Sequence, residues 1–212
     1  PAVIEQARAI IAPGDSALER AVKIYYWVRD RILYNPYRTT FEREHYRASF
    51  ILRQGDGFCV QKAILTAAFS RAAGVPCRLR FATVRNHLIT QRLREAMKTD
   101  LFVYHGLVDF YLEDRWVKAT PAFNLSLCEK FGTLPLEFNG REDSILHPFD
   151  REGNRHMEYL HDFGAFDDLP FERMLDEYRR CYPHLEELLK TVKQVDAQPA
   201  DFEREAEAEN KR

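Results

Sequence analysis

The chain has 212 residues, of which 45% are hydrophobic, and it carries 31 basic and 33 acidic side chains. A chain of this length buries about 70% of the surface of its unfolded form, which is enough for one hydrophobic core. The composition excludes collagen-like, disordered and disulfide-rich classes, and the net charge of -2 does not favour nucleic acid as a partner.

The first half of the sequence predicts helices. They are residues 3–12, a segment capped at Asp15 or Ser16 and ended by Asn35-Pro36, a short piece near 48–52, and a run from Cys59 to Gly74. The run from Cys59 is rich in small residues, which allows it to pack closely on a sheet. A turn over 54–57 leads directly into it.

The second half predicts a strand over 77–85, a short helix over 88–99, a β-hairpin of strands 102–112 and 115–119, and a helix over 171–192. Glycines and prolines predict loops over 125–170. The acidic segment from Asp196 predicts a frayed or disordered tail. The expected organisation is one domain over 1–192, with a core at 15–125 and an extension at 126–192, followed by a charged tail over 193–212.

The spacing of the cysteines and the absence of a long apolar run indicate the cellular compartment of the protein. Cys59, Cys77, Cys128 and Cys181 are dispersed and form no C-x-x-C pair. No apolar run is long enough to cross a bilayer, and no leader pattern opens the chain. These features predict a reduced, cytoplasmic protein with no membrane contact.

Cys59 is the first candidate for chemistry. A thiol at a helix N-terminus feels the positive end of the helix dipole, which favours the nucleophilic thiolate. The unpaired N–H groups there can also bind an oxyanion. Gly57 gives the backbone freedom for the entry turn. The alternative is a small cysteine of the core, since free cysteines are among the most buried residues.

His105 is the second candidate, and it lies in the middle of a predicted strand. If its face of the strand covers the Cys59 helix, the imidazole can act as general base toward the thiol. The alternative is a half-buried structural histidine. A two-residue turn at Glu113-Asp114 would pair Leu112 with Arg115 and place Thr120 and Asn124 diagonal to His105. Either side chain could then orient the imidazole.

A metal site is the weakest alternative. His147, His156 and His161 are the candidates, but their spacings fit no common ligand pattern. Neither a metal nor another cofactor is expected.

Three motifs together resemble the transglutaminase-like superfamily. They are Gly57-Phe58-Cys59, Gly74-Val75-Pro76-Cys77-Arg78, and the series of His105 followed by Trp116 to Pro121. The resemblance covers about residues 15–125. It implies an α+β fold of the papain-like kind, in which helices pack on an antiparallel sheet. It also implies that Cys59 is the nucleophile and His105 the base, and it places Thr120 where the family has aspartate.

The resemblance implies a thiol-dependent acyl-transfer enzyme, of a kind also found as stand-alone bacterial proteins. Cys59 would form a thioester with a peptide, protein or other amide or ester, and water or an amine would accept the acyl group. Protease, amidase and transglutaminase activities all remain open. The alternative is a non-catalytic binding module that retains the fold, since Thr120 replaces the family aspartate. The sequence indicates no oligomeric state.

Overall fold

The computed structural model describes residues 1–87, 89–146, 149–185 and 198–210. The helices are α1 (Ala2–Ile10), α2 (Ala17–Arg31), α3 (Ala48–Gln54), α4 (Cys59–Ala72), α5 (Gln91–Met97), α6 (Leu125–Phe131), α7 (Phe171–Cys181) and α8 (Pro199–Asn210). The strands are β1 (Leu33–Tyr34), β2 (Asp56–Gly57), β3 (Cys77–Asn86), β4 (Leu101–Leu112), β5 (Arg115–Ala119) and β6 (Met157–Phe166). The fold is α+β, as the sequence predicts.

Helix α4 is the central element and is buried along almost its whole length. Leu65 and Phe69 pack against α1, α2 and α3 in one apolar cluster. Val60, Ala63 and Ala67 belong to the second cluster, which extends across the sheet. The small side chains let β4 approach closely, so the helix with Cys59 at its start lies directly against the strand with His105.

Lys62 ties α4 to the end of α2. Its ammonium donates hydrogen bonds to the carbonyl oxygens of Arg29, at 2.8 Å, and Ile32. Carbonyl groups at a helix C-terminus have no partner within the helix, and a cation there also interacts favourably with the dipole. Complete burial lowers the pKa of Lys62 to about 7. Lys62 therefore holds the first turn of α4 against the C-terminal end of α2.

The main sheet is antiparallel, with the strand order β5-β4-β3-β6. Leu112 pairs with Arg115, which confirms the register predicted for the hairpin. Glu113 and Asp114 both take a positive φ, of 47° and 62°. This is the conformation of a type I′ turn, whose twist matches that of the flanking strands.

Strand β4 carries a bulge immediately before His105. Ala82 pairs with His105, whereas Val84 pairs with Phe102, so Val103 and Tyr104 share one partner position. Tyr104 has a φ of 56°, which is rare for a bulky residue. Bulges re-aim side chains and are frequent beside functional sites. Simple alternation along the strand therefore does not hold across this point.

The prediction of loops over 125–170 is wrong in two places. Helix α6 occupies Leu125–Phe131, and β6 forms the edge of the main sheet. Most of β6 is exposed or half-buried, and its register against β3 shifts at two positions. An exposed, bulged strand has no regular alternation of apolar and polar residues, which is why the sequence pattern does not show it.

The prediction of a frayed tail is also wrong for residues 199–210, which form α8. Phe202 and Ala206 are buried, and Phe202 contacts the rings of Tyr34 and Phe131. The acidic residues are paired rather than repelled: Glu203 binds Lys130 at 2.7 Å, and Glu205 binds Arg92 at 2.8 Å. Two apolar positions four residues apart are therefore enough to dock this helix.

Some predictions fall outside the described residues. They include positions 186–192 of the helix predicted over 171–192, of which α7 is the described part. The division into a domain over 1–192 and a tail stays a prediction. None of the helices in the described ranges combines the length and apolar character needed to cross a bilayer.

Candidate active site

Cys59 is the first residue of α4, and a tight turn leads into it. The side-chain oxygen of Gln61 accepts a hydrogen bond from the N–H of Phe58 at 3.2 Å, which caps the helix start. A Cβ at Gly57 would lie 2.9 Å from that oxygen. Gly57 does not take a positive φ, so its role is to leave room for the Gln61 amide rather than to supply backbone freedom.

The thiol of Cys59 is buried and is protonated at neutral pH. Burial raises the pKa of Cys59 to about 11, although the backbone N–H groups of Gly106, Val60 and Cys59 itself lower it. The N–H groups at the helix start lower the pKa as the sequence predicts, but the loss of water outweighs them, so the thiolate is not the favoured form. Those same N–H groups still surround the sulfur.

Gly106 places β4 against the first turn of α4. A Cβ at this position would lie 2.8 Å from the Cα of Val60 and 3.0 Å from the carbonyl oxygen of Cys59. Only a residue without a side chain allows this approach. Because the Gly106 N–H also acts on the Cys59 sulfur, His105 is attached directly to the residue that contacts the thiol.

His105 is 3% exposed and is held neutral by its surroundings. Burial lowers the pKa of the imidazole to about 4. Its Nε2 atom has no hydrogen-bond partner among the described residues. A neutral imidazole is the form that can accept a proton from a thiol, but nothing in the described chain fixes its tautomer or orientation through Nε2.

Neither Thr120 nor Asn124 forms a hydrogen bond with His105. The β4–β5 ladder ends at the pair Val108 and Ala119, so the predicted extension to Asn124 is wrong. Asn124 precedes α6, accepts a hydrogen bond from the N–H of Tyr34 at 2.9 Å, and donates one to Ser126 at 2.7 Å. Its amide therefore joins loops rather than orienting the imidazole.

Thr120 is 1% exposed and lies just beyond the end of β5. Its N–H donates to the carbonyl oxygen of Ser144 at 2.9 Å, which redirects the chain away from β4. Its hydroxyl is near Tyr159 of β6 but forms no hydrogen bond with the described residues. Burial raises the pKa of Tyr159 to about 12, and the Thr120 hydroxyl lowers it. Sequence reasoning missed Tyr159, because β6 was not predicted.

Tyrosines surround the thiol. A negative charge on Cys59 raises the pKa of each nearby phenol, and the tyrosines concerned are Tyr34, Tyr46, Tyr159, Tyr178 and Tyr182. A cavity of about 30 Å³ lies beside Cys59. Since a water needs about 10–15 Å³ of such volume, this space holds about two waters. The thiol therefore lies beside a small, mostly apolar cavity that is partly open.

Tyr182 closes this site from the end of α7. Its hydroxyl donates a hydrogen bond to the carbonyl oxygen of Leu101 at 2.8 Å and accepts one from the N–H of Val103 at 2.8 Å. The phenol thus satisfies two backbone groups where the bulge interrupts β4. No local pattern in the sequence indicates this long-range contact.

Removing this hydroxyl should destabilise the fold. In Tyr182→Phe, the buried N–H of Val103 loses its partner, and we expect the free energy of unfolding to fall by about 2 kcal/mol. Urea denaturation measures the change. Tyr111→Phe is the control, because Tyr111 is 39% exposed, and its effect should be within about 0.5 kcal/mol. Equal effects at both positions would contradict the bridging role.

The buried imidazole should make stability depend on pH. The unfolded chain protonates His105 near its ordinary pKa of 6.5, whereas the folded chain does so only near 4. The unfolded state therefore binds more protons between these values, and stability falls as the pH decreases from about 7 to 4. This lowering of the pKa corresponds to about 3 kcal/mol, which His105→Gln should remove. Urea denaturation of both proteins at pH 7 and 4 tests this; parallel losses would contradict it.

The described residues gather no group of three or more side chains suited to hold a metal ion. His147 lies outside the described residues. His156 stacks against Phe123, and His161 meets the ring of Phe163 edge-on. These two histidines therefore have aromatic neighbours of their own.

The structure therefore places a cysteine at the start of a buried helix, against the strand that carries a buried histidine. The family model of the transglutaminase-like superfamily matches residues 4–121, which is more than half of the chain. The chain belongs to this superfamily. No curated protein gives a significant match.

Two solved structures resemble the chain. One is a proposed cysteine protease from Cytophaga hutchinsonii, with 14% identity, a TM-score of 0.44 and 78% of this chain covered. The other is a proposed protease from Parabacteroides distasonis, with 15% identity, a TM-score of 0.41 and 59% of this chain covered. The matched regions span 49% and 24% of those chains, so this chain corresponds to only part of each.

Proposed function

We propose that this chain is a thiol-dependent acyl-transfer enzyme that acts on a peptide, protein or other amide or ester. The observation that carries the proposal is the contact at Gly106. It brings the histidine strand onto the first turn of α4, with backbone N–H groups around the Cys59 sulfur. Membership of the transglutaminase-like superfamily supports the same roles for Cys59 and His105.

The proposed reaction starts from a neutral thiol and a neutral imidazole. His105 takes the thiol proton as the sulfur attacks the carbonyl carbon, and the N–H groups of Cys59 and Val60 stabilise the oxyanion. The imidazolium then protonates the leaving group as the tetrahedral intermediate collapses to a thioester. Water or an amine attacks the thioester and loses its proton to His105; the carbon–sulfur bond then breaks, the acyl product leaves, and the imidazolium returns the proton to the Cys59 sulfur. Hydrolase and transferase outcomes differ only in this acceptor.

A second candidate function is a binding module without catalysis. The specific observation in its favour is that Nε2 of His105 lacks an orienting partner in the described chain, and that Thr120 supplies no carboxylate. Such a module would keep the buried site as a structural core. The two functions differ in whether Cys59 ever carries an acyl group.

Trapping of the thioester distinguishes these candidates. The protein is mixed with a panel of amides and esters, quenched in acid, and digested for mass spectrometry. The proposal expects an acyl adduct on Cys59 that exceeds any adduct on Cys181, and that is absent in Cys59→Ser and reduced in His105→Ala. Equal acylation of Cys59 and Cys181, or none at Cys59, would favour the binding module.

A further inference from the structure

The cavity beside Cys59 is lined mainly by apolar and aromatic side chains. Its walls come from α5, β4, the end of α7 and the segment after β1. Leu93, Met97 and Val103 form its aliphatic side, and Tyr182 covers it. Among the described residues that line it, none carries a charge. This space lies directly beside the sulfur to which an acyl group would be attached.

Arg92, one of the two arginines of α5, already has partners away from the cavity. Arg92 pairs with Glu205 at 2.8 Å and lies over the ring of Tyr37. The charge of Arg92 is therefore neutralised by Glu205 of α8. A charged substrate group in the cavity would lose its water without gaining a counter-ion, which is strongly unfavourable.

From this geometry, and resting on the proposed function, we infer that the acyl group taken up by Cys59 is uncharged and has a short aliphatic side chain. The volume of about 30 Å³ leaves room for a small group only. Leu93 and Met97 are four residues apart on α5 and lie on one face of it. Leu93 is buried, while Met97 is half-buried, and both line the cavity.

The test labels the cysteines with methanethiosulfonates, which need no turnover. The Cys59 sulfur forms a disulfide with the RS group of the reagent, and methanesulfinate leaves. The probes are the methyl, benzyl and anionic sulfonatoethyl reagents, with rates at Cys59 divided by those at Cys181 in the same sample. We expect the methyl reagent to exceed each of the others by about tenfold or more.

Two variants make the assignment specific. Leu93→Ala should raise the normalised benzyl rate by about tenfold while leaving the methyl rate nearly unchanged. Met97→Lys should raise the sulfonatoethyl rate, because it adds a cation beside the cavity. Leu134→Lys is the matched control, since Leu134 is 50% exposed and does not line the cavity, and it should leave all ratios unchanged.

The outcomes separate the two proposals. Equal normalised rates for the three probes, no labelling of Cys59 by any probe, or unchanged ratios in Leu93→Ala would overturn the inference. If the expected size and charge pattern appears but no thioester forms with any substrate, the proposed function fails and the cavity selectivity stands. If thioesters form equally well with charged and with bulky acyl groups, the selectivity fails and the proposed function stands.

Discussion

Replacing Thr120 by aspartate should raise the rate of acyl transfer by about 100-fold. The resemblance to the superfamily places Thr120, between Trp116 and Pro121, where the family has aspartate. Nε2 of His105 is buried without a partner in the described chain, so the imidazole is free to adopt the wrong tautomer. A carboxylate at position 120 would accept a hydrogen bond from Nε2–H and leave Nδ1 to take the thiol proton.

The pH profile gives this prediction a second measurement. Burial is the cause of the low pKa of His105, and no carboxylate in the described part of the chain offsets it. A nearby carboxylate favours the imidazolium, so Thr120→Asp should raise that pKa and move the acidic limb of the rate profile upward. Thr120→Asn is the control, because it supplies an acceptor without a charge. A rate increase that is equal in both variants would show that orientation alone limits the wild-type protein.

The new carboxylate also has a cost that can be measured. Position 120 is almost fully buried, and an ionised group there needs both the imidazole and another donor. The phenol of Tyr159 is the neighbouring group that we expect to act as that donor. We therefore expect Thr120→Asp to be less stable in the background of Tyr159→Phe than alone. If Thr120→Asp leaves the rate and the pH profile unchanged, the position does not orient His105.

The local parts of the site could be predicted from the sequence. The turn before Cys59, the helix that starts there, and the Glu113-Asp114 hairpin depend on residues close together in the chain. Turn chemistry and helical periodicity are local signals, so the sequence predicts the turn, the helix and the hairpin correctly. The pairing of Leu112 with Arg115 followed from the turn length alone.

The charge state of the site could not be predicted in this way. A cysteine at a helix start indicates a thiolate only if the sulfur is hydrated. Burial by residues distant in sequence, such as Tyr178 and Tyr182, reverses the expectation for Cys59. The error at Asn124 has a related cause, because the β5 ladder stops where Thr120 turns toward Ser144. A register extrapolated along the strands does not show where pairing ends.

The close approach of β4 to α4 predicts the largest effect on stability. In Gly106→Ala, the added Cβ would meet the Cα of Val60 at 2.8 Å, and this neighbour is backbone that cannot rotate away. Overpacking of a filled core costs about 1–3 kcal/mol, and the rigid neighbour places this variant at about 3 kcal/mol. Urea denaturation measures the loss. The labelling rate of Cys59 relative to Cys181 should also change, because the Gly106 N–H would move away from the sulfur.

Two further variants identify close approach as the cause. Gly153→Ala is the matched control: Gly153 has a φ of 85° and open space around it, so the cost should be about 1 kcal/mol from backbone strain alone. The double variant Gly106→Ala with Ala63→Gly removes the contact with the Ala63 Cβ at 3.2 Å but not the shorter contact with Val60. It should therefore recover little stability. Full recovery would mean that the Ala63 side chain, rather than the backbone of α4, requires glycine at position 106. It would also mean that α4 and β4 could lie further apart without loss of the site.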